Sequence, residues 1–257
     1  STVDTPYLWE LNIWYHTLNV GFRTRISGET DFPCIYGEKV GLGRSYVHLR
    51  GKLDYEALCE GIRAGRNYVG DGKSHLIGFK ADHLSMGEGD STLRLEKART
   101  VKLTAKVAAM LPEVINPYFS KKPNAAPPWG GPGSRPFWSV EWARLGETRK
   151  VPVEVIVNGY PVARQEILAD GHLEDMTFDV PISKSSWVAL RILQSSHTNP
   201  IFIEVGGLPI RASVKSAEWC AAGVEQCRSQ KERFMDADEK ADFHAAYDHA
   251  ANAYARL

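Results

Sequence analysis

Val151-Pro152-Val153-Glu154-Val155-Ile156-Val157-Asn158-Gly159 is the stretch whose reading decides the fold. Valine at 151, 153, 155 and 157 lines one face of an extended segment, because successive side chains of a strand point to opposite sides. Asn158-Gly159, directly after it, supplies the two residues that tolerate positive φ in a tight hairpin turn, and Asp170-Gly171 repeats the signal downstream. Outward from this segment, β-rich runs at 76–81, 92–95, 100–108, 139–145, 176–180, 187–193 and 201–205 lack helical periodicity. About eight short strands with such turns predict an antiparallel β-sandwich over 76–215.

Upstream of residue 76 the pattern is different. Residues 6–19 read as a helix, with Thr5 as cap, Pro6 at the first helical position and Gly21 as terminator; Tyr7, Leu8, Leu11, Trp14, Tyr15 and Leu18 form its stripe. A strand at 22–27 is expected to lead into Gly28-Glu29-Thr30-Asp31, and another is expected at 44–49. Asp54 caps a helix over 54–64, striped by Tyr55, Leu58, Cys59 and Ile62 and closed by Gly65, and a strand follows at 67–69. Strand, helix, strand predicts an α/β layer over 1–75 that is too short to close a barrel, so the rest of that layer is expected before Ser1.

Residues 112–136 hold seven of the 14 prolines together with Tyr118, Phe119 and Trp129, an irregular insertion expected to be mobile or a binding loop. The carboxyl end, 216–257, reads as a helical tail: Asp236 and Glu239 make a capping-box-like pair, and Phe243, Tyr247, Ala250, Tyr254 and Leu257 form a stripe expected to dock on the protein's own core.

The 257 residues are 43% hydrophobic, enough to build packed cores. Lys plus Arg and Asp plus Glu both number 31, so no broad positive field exists to attract nucleic acid or anionic lipid. No run is long and apolar enough for a membrane-spanning helix, and no signal-peptide pattern opens the chain. Absence of an initiator Met suggests a cut within a longer polypeptide. Cys34, Cys59, Cys220 and Cys227 are too scattered for a disulfide scaffold and leave the compartment open, cytoplasmic or exported.

Chemistry is most concentrated at Gly28-Glu29-Thr30-Asp31, where Glu29 and Asp31 fall on one side of an extended chain and could approach one cation. The alternative is an acidic turn capping nearby amides. Arg44, after Gly41-Leu42-Gly43, is a forked cation suited to a carboxylate or phosphate oxygen, or to an internal salt bridge. His75, His83 and His197 are expected in loops or turns, as hydrogen-bonded groups or as ligand contacts. The chain carries no His-Glu-x-x-His, no paired Cys-x-x-Cys, no Gly-Lys-Ser/Thr phosphate loop and no Gly-x-Ser-x-Gly.

Several phrases together resemble a known family: Trp14-Tyr15-His16-Thr17-Leu18-Asn19-Val20-Gly21-Phe22, Ile26-Ser27-Gly28-Glu29-Thr30-Asp31, Val40-Gly41-Leu42-Gly43-Arg44-Ser45-Tyr46-Val47, Gly61-Ile62-Arg63-Ala64-Gly65-Arg66-Asn67-Tyr68-Val69-Gly70-Asp71-Gly72, and His197-Thr198-Asn199-Pro200-Ile201. They look like the last units of a carbaryl-hydrolase-type (CehA/McbA) metallohydrolase, a group related to the PHP phosphoesterases. The resemblance implies that residues 1–75 end a β/α barrel holding divalent zinc, manganese or iron, that a β-sandwich follows, and that the early His-x-His motifs lie upstream. Asp31 matches the first position of the late Asp-x-His metal motif, where Pro33 takes the place of the His. The implied activity is hydrolysis of a phosphoester or of a carboxylic or carbamate ester. Asp31 is then a metal ligand, Glu29 a weaker one and Arg44 the oxyanion stabiliser, with the upstream barrel as the chain's partner. The competing expectation is a non-catalytic accessory sandwich that presents a small ester substrate or a partner, with Trp129 and His197 as contacts.

Overall fold

The structure, a computed structural model, describes residues 7–30, 41, 43–119 and 137–257. Asp31, Cys34 and Trp129, the Thr5-Pro6 cap and most of the proline-rich stretch lie outside the described residues.

The valine alternation is realised as β7 (Lys150–Val157), with Val151, Val153 and Val155 buried. Asn158 and Gly159, both at positive φ, turn the chain into β8 (Tyr160–Leu168), a strand the sequence reading did not anticipate. That strand pairs only with β7 and leaves most of its residues exposed, so little apolar alternation marks it. The remaining strands are β1 (Arg44–Val47), β2 (Asn67–Gly70), β3 (Ser74–Ala81), β4 (Leu84–Ser85), β5 (Thr92–Leu95), β6 (Arg99–Ala109), β9 (Glu174–Ile182), β10 (Ser186–Ile192), β11 (Ser196–Thr198) and β12 (Ile201–Val205).

Two sheets result. A four-stranded antiparallel sheet runs β4-β3-β6-β9; an eight-stranded sheet runs β1-β2-β11-β10-β12-β5, with β7 and then β8 along the other edge of β10. All its pairings are antiparallel except β12 with β5. Leu76, Phe79, Val101, Leu103 and Val107 of one sheet meet Val151, Val153, Val188, Leu190, Ile201 and Ile203 of the other in one apolar core. Mostly antiparallel sheets packed in this way, followed by two helices, form the sandwich and helical tail anticipated from the sequence.

The segment before residue 76 departs from the α/β layer expected there. β1 and β2 lie antiparallel, Arg44 opposite Gly70 and Val47 opposite Asn67, and β2 continues onto β11 of the sandwich. The intervening helix α2 (Tyr55–Ala64) joins adjacent strand ends, so no crossover over the sheet face occurs, as parallel pairing would require. Its boundaries follow the sequence: Asp54 accepts a hydrogen bond from the Ala57 amide (2.7 Å), and Gly65 at φ 75° closes the helix. Replacing Asp54 with Ala is expected to cost about 1 kcal/mol, read as a lowered urea midpoint with an unchanged slope.

Residues 22–28, expected as a strand at 22–27, join no ladder. Side chains take the place of a neighbouring strand: Asn199 Oδ1 accepts from the Ile26 amide (3.0 Å), Asn67 Nδ2 donates to the Ile26 carbonyl (2.8 Å), and Ser45 Oγ accepts from the Gly28 amide (2.8 Å). The run expected as a strand at 139–145 is instead a short 3-10 turn, Val140–Ala143, which Ser139 caps through the Glu141 amide.

The outer face of the large sheet is covered by α1 (Tyr7–Asn19). Leu18 packs with Ile156, Trp187, Ala189, Phe202 and Ile210, and Leu11 with Trp138, whereas Leu8 of the anticipated stripe faces solvent. Helix α3 (Val214–Lys231) docks on α1 through His16 stacked on Trp219 (4.4 Å). Helix α4 (Lys240–Ala255) packs against α3 and buries none of its own residues, although Tyr254 touches Phe22. Asp236 and Glu239 interact as anticipated, the Glu239 carboxylate accepting from the Asp236 amide.

Candidate functional site

Arg44 opens β1, and strand alternation puts Tyr46 on its face, opposite Tyr68 of β2. The Tyr46 and Tyr68 rings are stacked, 4.8 Å apart and 10° from parallel. His75, just inside β3, meets both: its Nδ1 lies 2.7 Å from the Tyr68 hydroxyl, and its ring stands edge-on to Tyr46 at 4.9 Å. Arg44 Nε donates to the Gly41 carbonyl, and the guanidinium rests against Gly72, whose φ of 85° and lack of a Cβ leave room for it. Asp71 fixes the adjoining turn: its carboxylate accepts from the Val140 amide (2.7 Å), Ser195 Oγ (2.7 Å) and the Lys73 amide (3.0 Å). At this corner of the sandwich the Arg44 side chain is exposed, His75 is half-buried, and Tyr68 of the stacked pair belongs to the core.

Electrostatics at this corner favour a neutral imidazole. Burial holds His75 below the usual histidine range, Asp71 opposes that shift, and Arg44 reinforces it. Burial pushes the Tyr68 hydroxyl up, so it remains a hydrogen-bond donor. The exposed Arg44 guanidinium, with two parallel N–H donors, suits the oxygens of a small anion.

Glu29 lies next to this corner. Residues 28–30 run alongside 43–45: Thr30 Oγ1 donates to the Gly43 carbonyl, and a Cβ at Gly43 would collide with the Glu29 backbone. The Glu29 carboxylate accepts from Ser27 Oγ (2.7 Å). Sequence reasoning thus pointed to Arg44 and Glu29, which the fold brings together; Asp31, one residue beyond Thr30, lies outside the described residues. Tyr46 and Tyr68 were missed, although their signal was present as the second residue after Arg44 and the aromatic in Asn67-Tyr68-Val69-Gly70.

His197 takes a different position from the loop contact expected. It sits in β11, fully buried beneath α1. Its Nδ1 donates to the Thr198 carbonyl (2.7 Å), which leaves Nε2 as an acceptor for the Tyr15 hydroxyl (2.6 Å). Tyr15 in turn accepts from Arg191 Nη1 (3.2 Å), and Arg191 Nε donates to Glu154 (2.7 Å). Burial takes His197 down to about 3 and Tyr15 up to about 12, the latter opposed by Arg191. Both ring nitrogens of His197 are occupied and no solvent reaches it, so it fastens α1 to the sheet and touches no substrate here. The outcome follows from pairing: His197 stands opposite Arg191 on the face that α1 covers.

Among the described residues, no group of three or more His, Cys, Asp or Glu side chains is placed to hold a metal ion. No helix among the described residues is long and apolar enough to cross a membrane. No protein-family model, curated protein or solved structure matches the chain.

Proposed function

We propose that this chain is an accessory β-sandwich that binds and presents a small ester substrate. It would form the C-terminal portion of a PHP-related, carbaryl-hydrolase-like metallohydrolase whose metal-binding segment lies upstream, and it does not turn over substrate alone. One observation supports the reading: Arg44 and Tyr46 share a face of β1, and Tyr46 stacks on Tyr68, whose hydroxyl bonds His75. Recognition needs only that placement; hydrolysis would also need a nucleophile activated by a base or a metal. Benzoate, a flat anion, is the probe. It is expected to bind saturably, read by tyrosine fluorescence or amide shifts, and Arg44→Gln is expected to weaken it at least ten-fold. Equal binding by Arg44→Gln would overturn the reading.

A second reading, in which the chain holds a catalytic metal itself, is favoured by the exposed Glu29 carboxylate two residues before Asp31. Elemental analysis separates the two. After purification in Mn²⁺ or Zn²⁺ without chelator, the chain and its Asp31→Ala variant are expected to carry equal, substoichiometric metal. Stoichiometric metal that is lost with Asp31, together with ester turnover, would establish the second reading.

A further inference from the structure

β8 ends the large sheet on an open edge: among the described residues it pairs with β7 alone, along its length from Tyr160 to Leu168. The alternation of its backbone groups is fixed at one end, where the Ala169 amide donates to the Arg149 carbonyl (2.7 Å) in the register of the β7–β8 pair. Every second residue from there, Ile167 and then Gln165, turns its amide and carbonyl to β7, and the residues between turn theirs away. Pro152, which has no amide to donate, accordingly stands opposite Glu166, a residue that does not bond β7. Leu168, Glu166 and Arg164 therefore present backbone donors and acceptors to the open edge, and all three are exposed. The Gln165 side chain amide donates to the Thr177 carbonyl of β9 (2.9 Å), which steadies the edge against the second sheet.

Such an edge is a template for another strand, and its sequence selects which one. Arg164 and Glu166 flank Gln165, so antiparallel pairing about a two-fold axis at Gln165 puts Arg164 opposite Glu166 of a second copy, and Glu166 opposite Arg164 of that copy. The same register brings the exposed Leu168 level with the exposed Val162, the bulge residue at which the regular run ends. Outward-turned residues bond only one another, so the neighbouring symmetric registers set either Arg164 against Arg164 or Glu166 against Glu166. Like charges directly opposite are unfavourable, and the edge thereby discriminates against both registers. Within one chain the two side chains are loosely held: Glu166 lies 3.5 Å from Arg164 and 3.9 Å from Lys150. From this self-complementarity we propose that β8 is a self-association edge, at which two copies of the chain pair β8 with β8 and join their eight-stranded sheets into one. Arg44 lies on β1, at the opposite end of the sheet, so the proposal is independent of the ester-presenting reading.

Sedimentation equilibrium of the full chain is the test, and a reversible monomer–dimer equilibrium is the expected result. Arg164→Glu and Glu166→Arg each set like charges opposite and are each expected to weaken the dimer at least about ten-fold. The double exchange R164E/E166R puts opposite charges back in register and is expected to restore it. Arg44→Gln should leave the equilibrium unchanged. Hydrogen exchange on the unsubstituted chain decides the matter even if a variant fails to fold. The Arg164, Glu166 and Leu168 amides should exchange more slowly as protein concentration rises, whereas those of Gln165 and Ile167, already bonded to β7, should not change. A chain that stays monomeric at millimolar concentration would overturn the proposal. So would a dimer that both single exchanges leave intact, one that the double exchange does not restore, or one in which the three outward amides gain no protection.

Discussion

Replacing Trp187 with Ala is expected to destabilise the protein by about 3–5 kcal/mol, the range for emptying a buried aromatic site. Trp187 is fully buried on the α1 face of β10, where it packs with Leu18, Ile156, Phe202 and Ile210 and lies 4.9 Å from the Tyr15 ring. Its Nε1 donates to Asn19 Oδ1 (2.8 Å), so truncation leaves both a cavity and a buried acceptor without its donor. Trp187→Phe keeps most of the volume and should cost much less. Chemical denaturation followed by circular dichroism measures both. A loss below about 1 kcal/mol for the Ala variant would mean that α1 is not fastened to the sheet as described.

Acidification should have the second large effect. His197 is held neutral in the folded chain down to about 3, against 6.5 in an unfolded one. As pH falls below 6.5 the unfolded chain takes up a proton that the folded chain refuses, so stability is full above 6.5 and declines towards 3. The slope for one such group is about 1.4 kcal/mol per pH unit, or about 2 kcal/mol between pH 6.5 and roughly 5, before most carboxylates titrate. His16 and His75, also lowered by burial, add in the same direction. Urea midpoints across this window should fall with pH, and His197→Gln should flatten the fall. An equal slope in that variant would place the proton uptake elsewhere.

Much of the fold was legible because its signals are local. Valine alternation with Asn158-Gly159 marks a strand and its turn wherever the partner lies, and Asp54 and Gly65 bound α2 by satisfying their own helix ends. Strand pairing in the first third was not legible. Arg44–Val47 and Asn67–Gly70 flank a helix, and that pattern alone does not distinguish a crossover from an excursion between adjacent antiparallel ends. The deciding partner of β2, Ser196–Thr198, is a three-residue strand more than a hundred positions away. The same distance hid the site. Arg44 and Glu29 stood out by type, but the pairing of Tyr46 with Tyr68 and the reach of His75 to both depend on register. His197 looked like a loop residue until its pairing with Arg191 turned it beneath α1.

The seam between β2 and β11 also bears on how the chain comes to be built. Until residues 196–198 leave the ribosome, the β1–β2 hairpin has an open edge whose backbone groups face no partner, and α1 has no completed sheet to cover. Such an edge is a template for pairing with another chain. Synthesis that pauses or stops between β3 and β10 would leave this edge exposed, so products ending there should accumulate as aggregates, and chains extended past β12 should remain dispersed.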